Sequence, residues 1–122
     1  MTPFNAADCL VDRQVRAGNG GRVAIRCRGE SITYAELLER VRGAASGLRA
    51  LGVRPEERVM LVLLDGPEFA AAFLGALRIG AVPLPVNPLL PGRDLAGIAA
   101  DARARVAIVS AERAEIDRKS VV

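Results

Sequence analysis

A chain of 122 residues, 51% hydrophobic and 25% charged, makes one globular domain at most and is not a disordered polymer. The net charge is +3, but the basic residues are scattered singly among acids and aromatics are only 3%, which argues against nucleic-acid binding and for a solvated surface. No His is present, which removes Ser-His-Asp and Cys-His nucleophiles and imidazole metal sites.

The start has no basic region followed by an apolar core, so it does not read as a signal peptide. Asn5 can cap a first helix with Ala6, Ala7, Leu10, Val11 and Val15 as its apolar stripe. Gly18-Asn19-Gly20-Gly21 ends it. A phosphate loop needs a strand before the glycines and a helix after them. Here the order is reversed, so the cluster reads as a turn. Val23 to Cys27 reads as a strand, Arg28-Gly29-Glu30 as a tight turn, and Ser31-Ile32-Thr33 as the return strand of a hairpin. Cys9 and Cys27 have no metal-ligand spacing and read as reduced, buried thiols of a cytoplasmic protein.

Thr33-Tyr34-Ala35-Glu36 is a capping box. In the helix behind it, Tyr34, Leu37, Leu38, Val41, Ala45, Leu48 and Leu51 fall on one face. Glu36, Glu39, Arg40, Arg42 and Arg49 fall mostly on the solvated one. Gly52 closes this helix, with Pro55 soon after. Arg58 to Leu64 is a continuous apolar run, as in a parallel strand buried on both faces. Asp65 follows its carboxyl end, where open α/β sheets place functional groups; the competing reading is a turn or cap residue.

Pro67 to Ile79 forms the next helix, with proline at its first position and Glu68 in its first turn. Phe69, Phe73, Leu74 and Leu77 line one side and small alanines much of the rest, so this helix is expected to pack on more than one face. Gly80 stops it. A strand from Val82 to Val86 follows; Pro83 and Pro85 cannot donate to a ladder, so it is an edge or pairs through its other groups. Pro91-Gly92-Arg93-Asp94 leads into a helix with Leu95, Ile98, Ala99 and Ala102 inward. Val106 to Val109 is a last strand, and Ser110 can cap a short helix from Ala111. No apolar run reaches the roughly 20 residues of a membrane span. Strands alternating with helices argue for an α/β fold with parallel Rossmann-like layers and a short N-terminal β-hairpin.

Two stretches resemble the adenylate-forming superfamily, which includes the acyl- and aryl-CoA ligases. One is Ile32-Thr33-Tyr34-Ala35-Glu36-Leu37, similar to its "T-Y-x-E-L" opening. The other runs from Leu77 to Pro88, at the expected separation. Asn5-Ala6-Ala7-Asp8, Leu64-Asp65-Gly66-Pro67-Glu68-Phe69 and Val86-Asn87-Pro88-Leu89-Leu90 look most like the benzoate-CoA ligase group.

The resemblance implies an incomplete N-terminal part of the ligase large domain, covering residues 1–116. It implies an enzyme that forms an acyl adenylate from a small carboxylic acid and ATP, then a CoA thioester. The resemblance implies ATP, Mg2+ and CoA for the full-length protein; the family supplies a Ser/Thr/Gly-rich phosphate loop ending in Pro-Lys, an acid that holds the ribose, and a lysine in a mobile C-terminal domain that bridges carboxylate and phosphate. None has a counterpart in this sequence, so no catalytic, cofactor-binding or metal residue is assigned, and the chain alone is expected to be inactive. Its expected partner is the missing remainder of the ligase. The alternative is a non-catalytic interaction module that docks on a separately encoded remainder. The tail Asp117-Arg118-Lys119-Ser120-Val121-Val122 is what GAT CGG AAG AGC GTC GTG encodes, a string similar to a common sequencing-library adapter. It holds the single lysine, Lys119, beside 16 arginines in the chain, so residues 117–122 are expected to be non-native.

Overall fold

The computed structural model describes residues 5–110. The helix expected from Ala111 and the tail at 117–122 lie outside them. An N-terminal helical segment leads into an antiparallel hairpin of β1 (Val23–Cys27) and β2 (Glu30–Thr33). There follow α1 (Tyr34–Ala50), β3 (Arg58–Val62), α2 (Pro67–Arg78), β4 (Val82–Pro85), α3 (Gly92–Ala102) and β5 (Ala104–Val109). The last three strands form a parallel sheet in the order β4-β3-β5. The expected α/β architecture with its hairpin is present.

The local signals act as their chemistry requires. The Thr33 hydroxyl accepts from the Glu36 amide at 3.2 Å, and a Glu36 carboxylate oxygen accepts from the Thr33 amide at 3.1 Å. Both long helices end in the same glycine motif. The Gly52 and Val53 amides donate to the carbonyls of Arg49 and Leu48, and those of Gly80 and Ala81 to Leu77 and Ala76. Gly52 has φ +87° and Gly80 +79°, backbone that a side chain strains.

β3 sits between two layers, and its alternation divides the core. Val59, Leu61 and Leu63 face α1 and α2, joining Ala45, Leu48, Ala72 and Ala76. Met60 and Val62 face α3 and join Leu95. A third cluster ties Ala7 and Val11 to Ile32, Leu37, Leu38, Val41 and Leu74. α2 is therefore packed on more than one face. At Gly75 it meets α1 so closely that an added Cβ would lie 2.8 Å from the Ala44 Cβ and 3.1 Å from the Ala45 amide nitrogen.

Several boundaries differ from the sequence reading, each for a physical reason. The N-terminal segment makes wide turns at Asp8–Asp12 and Val15–Asn19. Wide turns advance fewer degrees per residue, so Ala7 and Val11 stay inside while Leu10 is exposed. Leu51 is exposed as well, because it forms the C-cap of α1 beyond the last packed turn. β3 ends at Val62, paired with Val109, instead of at Leu64. Its partners run out there, leaving Leu63 buried but unpaired in the ladder and Leu64 exposed. Cys9 and Cys27 are free thiols, but half-buried instead of buried.

Candidate functional site at the ends of the parallel sheet

The carboxyl ends of parallel strands are where open α/β folds place chemistry. Three segments reach that end: Leu63 to Gly66 after β3, Val86 to Pro88 after β4, and Ser110 after β5. Asp65 is exposed and makes no hydrogen bond or ion pair among the described residues. It does not cap α2 either; the cap position is Gly66, and its carbonyl accepts from the Ala70 amide at 3.0 Å. The cap reading of Asp65 is thereby corrected: the helix starts from Gly66 and Pro67. Asn87 closes its own turn, its Oδ1 accepting from the Leu89 amide at 2.9 Å.

The helix N-termini test whether this end suits a nucleotide phosphate. Such a site needs free N–H groups and no competing anion. α1 begins on the Glu36 carboxylate, which lies in its own capping box. α2 begins with Pro67, which has no N–H, and Glu68, whose Oε2 lies 3.7 Å from where a Cβ on Gly66 would be. α3 begins after Pro91 with Asp94 in its first turn. Each N-terminus already carries a carboxylate, so these residues do not fit a phosphate group. Gly20 and Gly21 form a turn, as their order predicts, after Gly18 at φ +89° in the last wide turn: the Ala35 amide donates to the Gly20 carbonyl, docking the loop on the start of α1.

Charge of the opposite sign gathers at the other end of the sheet. Arg49, Gly52, Val53, Arg54 and Arg105 line an open depression beside the amino ends of β3 and β5. Glu57 is its counter-charge: one carboxylate oxygen accepts from the Arg54 amide at 2.7 Å, and the other lies 3.9 Å from Arg105 Nε.

Two long-range links escaped the sequence reading. Asp12 is buried, and both its oxygens accept from Arg78 Nη1 at 2.7 Å. Asn5 works at both ends of its side chain. Its Oδ1 accepts from the Ala7 amide at 2.9 Å, the expected cap, while its Nδ2 donates to the Leu77 carbonyl at 2.9 Å. The N-terminal segment is thus clasped to the end of α2. No periodicity marks partners 66 and 72 positions apart. A buried acid in an apolar stripe was the one available sign.

Two exposed carboxyls are held below the ordinary range. Hydrogen bonds from Thr33 lower Glu36, and the Arg16 side chain lowers Asp8. Both are structural contacts. Among the described residues no group of three His, Cys, Asp or Glu side chains is placed to hold a metal, and no helix is long and apolar enough to cross a membrane.

Comparison with known proteins follows this geometry closely. The AMP-binding enzyme family matches residues 11–122. The benzoate–CoA ligase of Thauera aromatica is 44% identical over 110 residues, 89% of this chain and 21% of that protein. A 4-hydroxybenzoate–CoA/benzoate–CoA ligase of Rhodopseudomonas palustris is 38% identical over 112 residues, 92% of this chain and 21% of that protein. The structure of a benzoate CoA ligase from Burkholderia xenovorans superposes with a TM-score of 0.85 at 41% identity, covering 93% of this chain and 23% of the other. The chain spans about a fifth of the length of the curated relatives it matches.

Proposed function

The chain belongs to the AMP-binding enzyme family, and from that premise we propose that it is the N-terminal part of an ATP-dependent aryl- or acyl-CoA ligase of the cytoplasm. The parent enzyme would activate a small carboxylic acid as its adenylate, release pyrophosphate and pass the acyl group to CoA. The observation that carries this reading is the 44% identity to a benzoate–CoA ligase, sustained through nearly the whole chain. Benzoate or a hydroxylated benzoate is the acid class those relatives suggest.

Within that enzyme these residues are scaffold. Carboxylates stand at the start of all three helices, which would repel the phosphates of ATP. Groups that hold ATP, Mg2+ and CoA would therefore come from residues beyond those described here. The 122-residue chain, purified free of host ligases, should catalyse no benzoate-dependent exchange of pyrophosphate into ATP. Adding a separately produced polypeptide that begins after Glu115 in a full-length relative should restore exchange if the chain docks as a module. Exchange by the chain alone would overturn the scaffold reading. We propose further that residues 117–122 are not native; an independent read of the source DNA with a stop codon after Val122 would refute this.

A further inference from the structure

We propose that the depression at the amino end of the sheet is a seat for an oligophosphate anion. Three observations converge on it. Arg49, Arg54 and Arg105 line one open depression with Gly52 and Val53, and the Glu57 carboxylate stands 3.9 Å from Arg105 Nε. Among the described residues the guanidinium groups of Arg49 and Arg54 have no hydrogen-bonding or ionic partner. The floor is Gly52, at φ +87°, and a Cβ there would lie 3.2 Å from Arg105 Nη2. A side chain would strain this backbone, and the Arg105 group lies close beside Gly52.

The chemistry selects phosphate. Guanidinium forks match phosphate oxygens two at a time and carry a weakly held hydration shell. The seat is open to solvent, so one phosphate would be screened. A chain of two or three phosphates can engage all three arginines together. Glu57 fixes the Arg54 backbone through its Oε1 and stands near Arg105 through its Oε2, so it orders the seat and also competes for it.

The test uses the full chain, labelled for amide NMR, titrated at low salt with inorganic tripolyphosphate, ATP and citrate. Saturable shifts centred on Gly52, Val53, Arg54 and Arg105 are expected with tripolyphosphate. If ATP matches it, the seat reads the phosphate tail of a nucleotide; if ATP is weaker, it reads the free inorganic anion. Arg54→Gln and Arg105→Gln should each weaken tripolyphosphate at least fivefold, and Arg93→Gln, at the start of α3, should leave it unchanged. Glu57→Gln keeps an acceptor for the Arg54 amide and should tighten binding about threefold, which a misfolded variant would not do. Three results would overturn the proposal. They are the absence of saturation, equal binding of citrate, and an Arg93→Gln loss as large as that of Arg105→Gln.

Discussion

The two helical layers that sandwich β3 are built to different tolerances. On one side α1 and α2 meet at Gly75 with almost no space between their backbones, and the residues between them and the sheet are nearly all buried. On the other, α3 contributes Leu95 alone as a buried residue, and Ile98 and Ala99 are only half-covered. Gly97 on α3 has nothing within 4 Å of an added Cβ. The first layer is finished by these residues themselves. The second is held by a single anchor, and its fit to the sheet is set by few contacts. The difference teaches that one sheet carries two kinds of cover: one face is closed by tightly packed helices, and the other rests on a single buried anchor.

Removing matched anchors is the strongest way to break this comparison. Leu61→Ala, at a fully buried site, should cost about 4 kcal/mol from lost burial and an unfilled cavity. Leu95→Ala should cost about 2 kcal/mol, because its half-covered neighbours can settle into the gap. Urea midpoints of the two variants decide it, and equal losses would erase the distinction between layers.

Arg78→Ala comes next. It leaves the buried Asp12 carboxylate without its guanidinium, at a cost of about 2–3 kcal/mol. The Asp12→Leu/Arg78→Leu pair should regain a good part of that loss in the same denaturation assay. Failure to regain it would mean that the clasp contributes through geometry more than charge.

Two glycines sharpen the comparison by sign. Gly75→Ala pushes a methyl group against Ala44 and the α1 backbone and should destabilise by about 1–3 kcal/mol. Gly97→Ala meets open space and should stabilise by about 0.5–1 kcal/mol, since alanine favours the helix. Thermal melts that move in the same direction for both would refute the tight-and-loose picture.

The smallest effect concerns acid. Hydrogen bonds from Thr33 lower the Glu36 carboxyl below its usual 4.5. Folding therefore favours the ionised form, and the contribution is complete above the ordinary glutamate range. It is lost as pH falls through the depressed value. Glu36→Gln should flatten that acid limb of stability while leaving the neutral-pH helix content nearly unchanged, as circular dichroism across pH 2–6 would show.

Most of the local fold was legible because its causes are local. The capping box, the two glycine stops and the proline at the first turn of α2 each act within a few residues. The proline-marked edge was readable too. The Val82 amide donates to Glu57 and the Val86 amide to Leu61, so the alternate positions, Pro83 and Pro85, face away from β3. That outer edge has no donors there, a defence against pairing with other chains. What escaped depends on partners far apart in sequence: the order β4-β3-β5, the Asp12–Arg78 pair and the second role of Asn5. The exposure of Leu10 escaped for another reason, since a 3.6-residue template cannot foresee wide turns. At the candidate site, Asp65 was rightly placed at a strand's carboxyl end, but its lack of a capping contact was not readable from residue type.

The central position of β3 has a consequence during synthesis on the ribosome. β3 is made before either of its neighbours, and its two partners emerge only after α2 and then α3 have been translated. At about 5–20 residues per second, the most deeply buried of the described strands waits seconds for its second flank. In that interval α1, already made, can cover Val59 and Leu61 with Ala45 and Leu48. The face bearing Met60 and Val62 has no such early cover. A trigger-type chaperone at the tunnel exit would meet that face first. Crosslinks from Met60 to such a chaperone should vanish from stalled nascent chains once Val109 has cleared the exit.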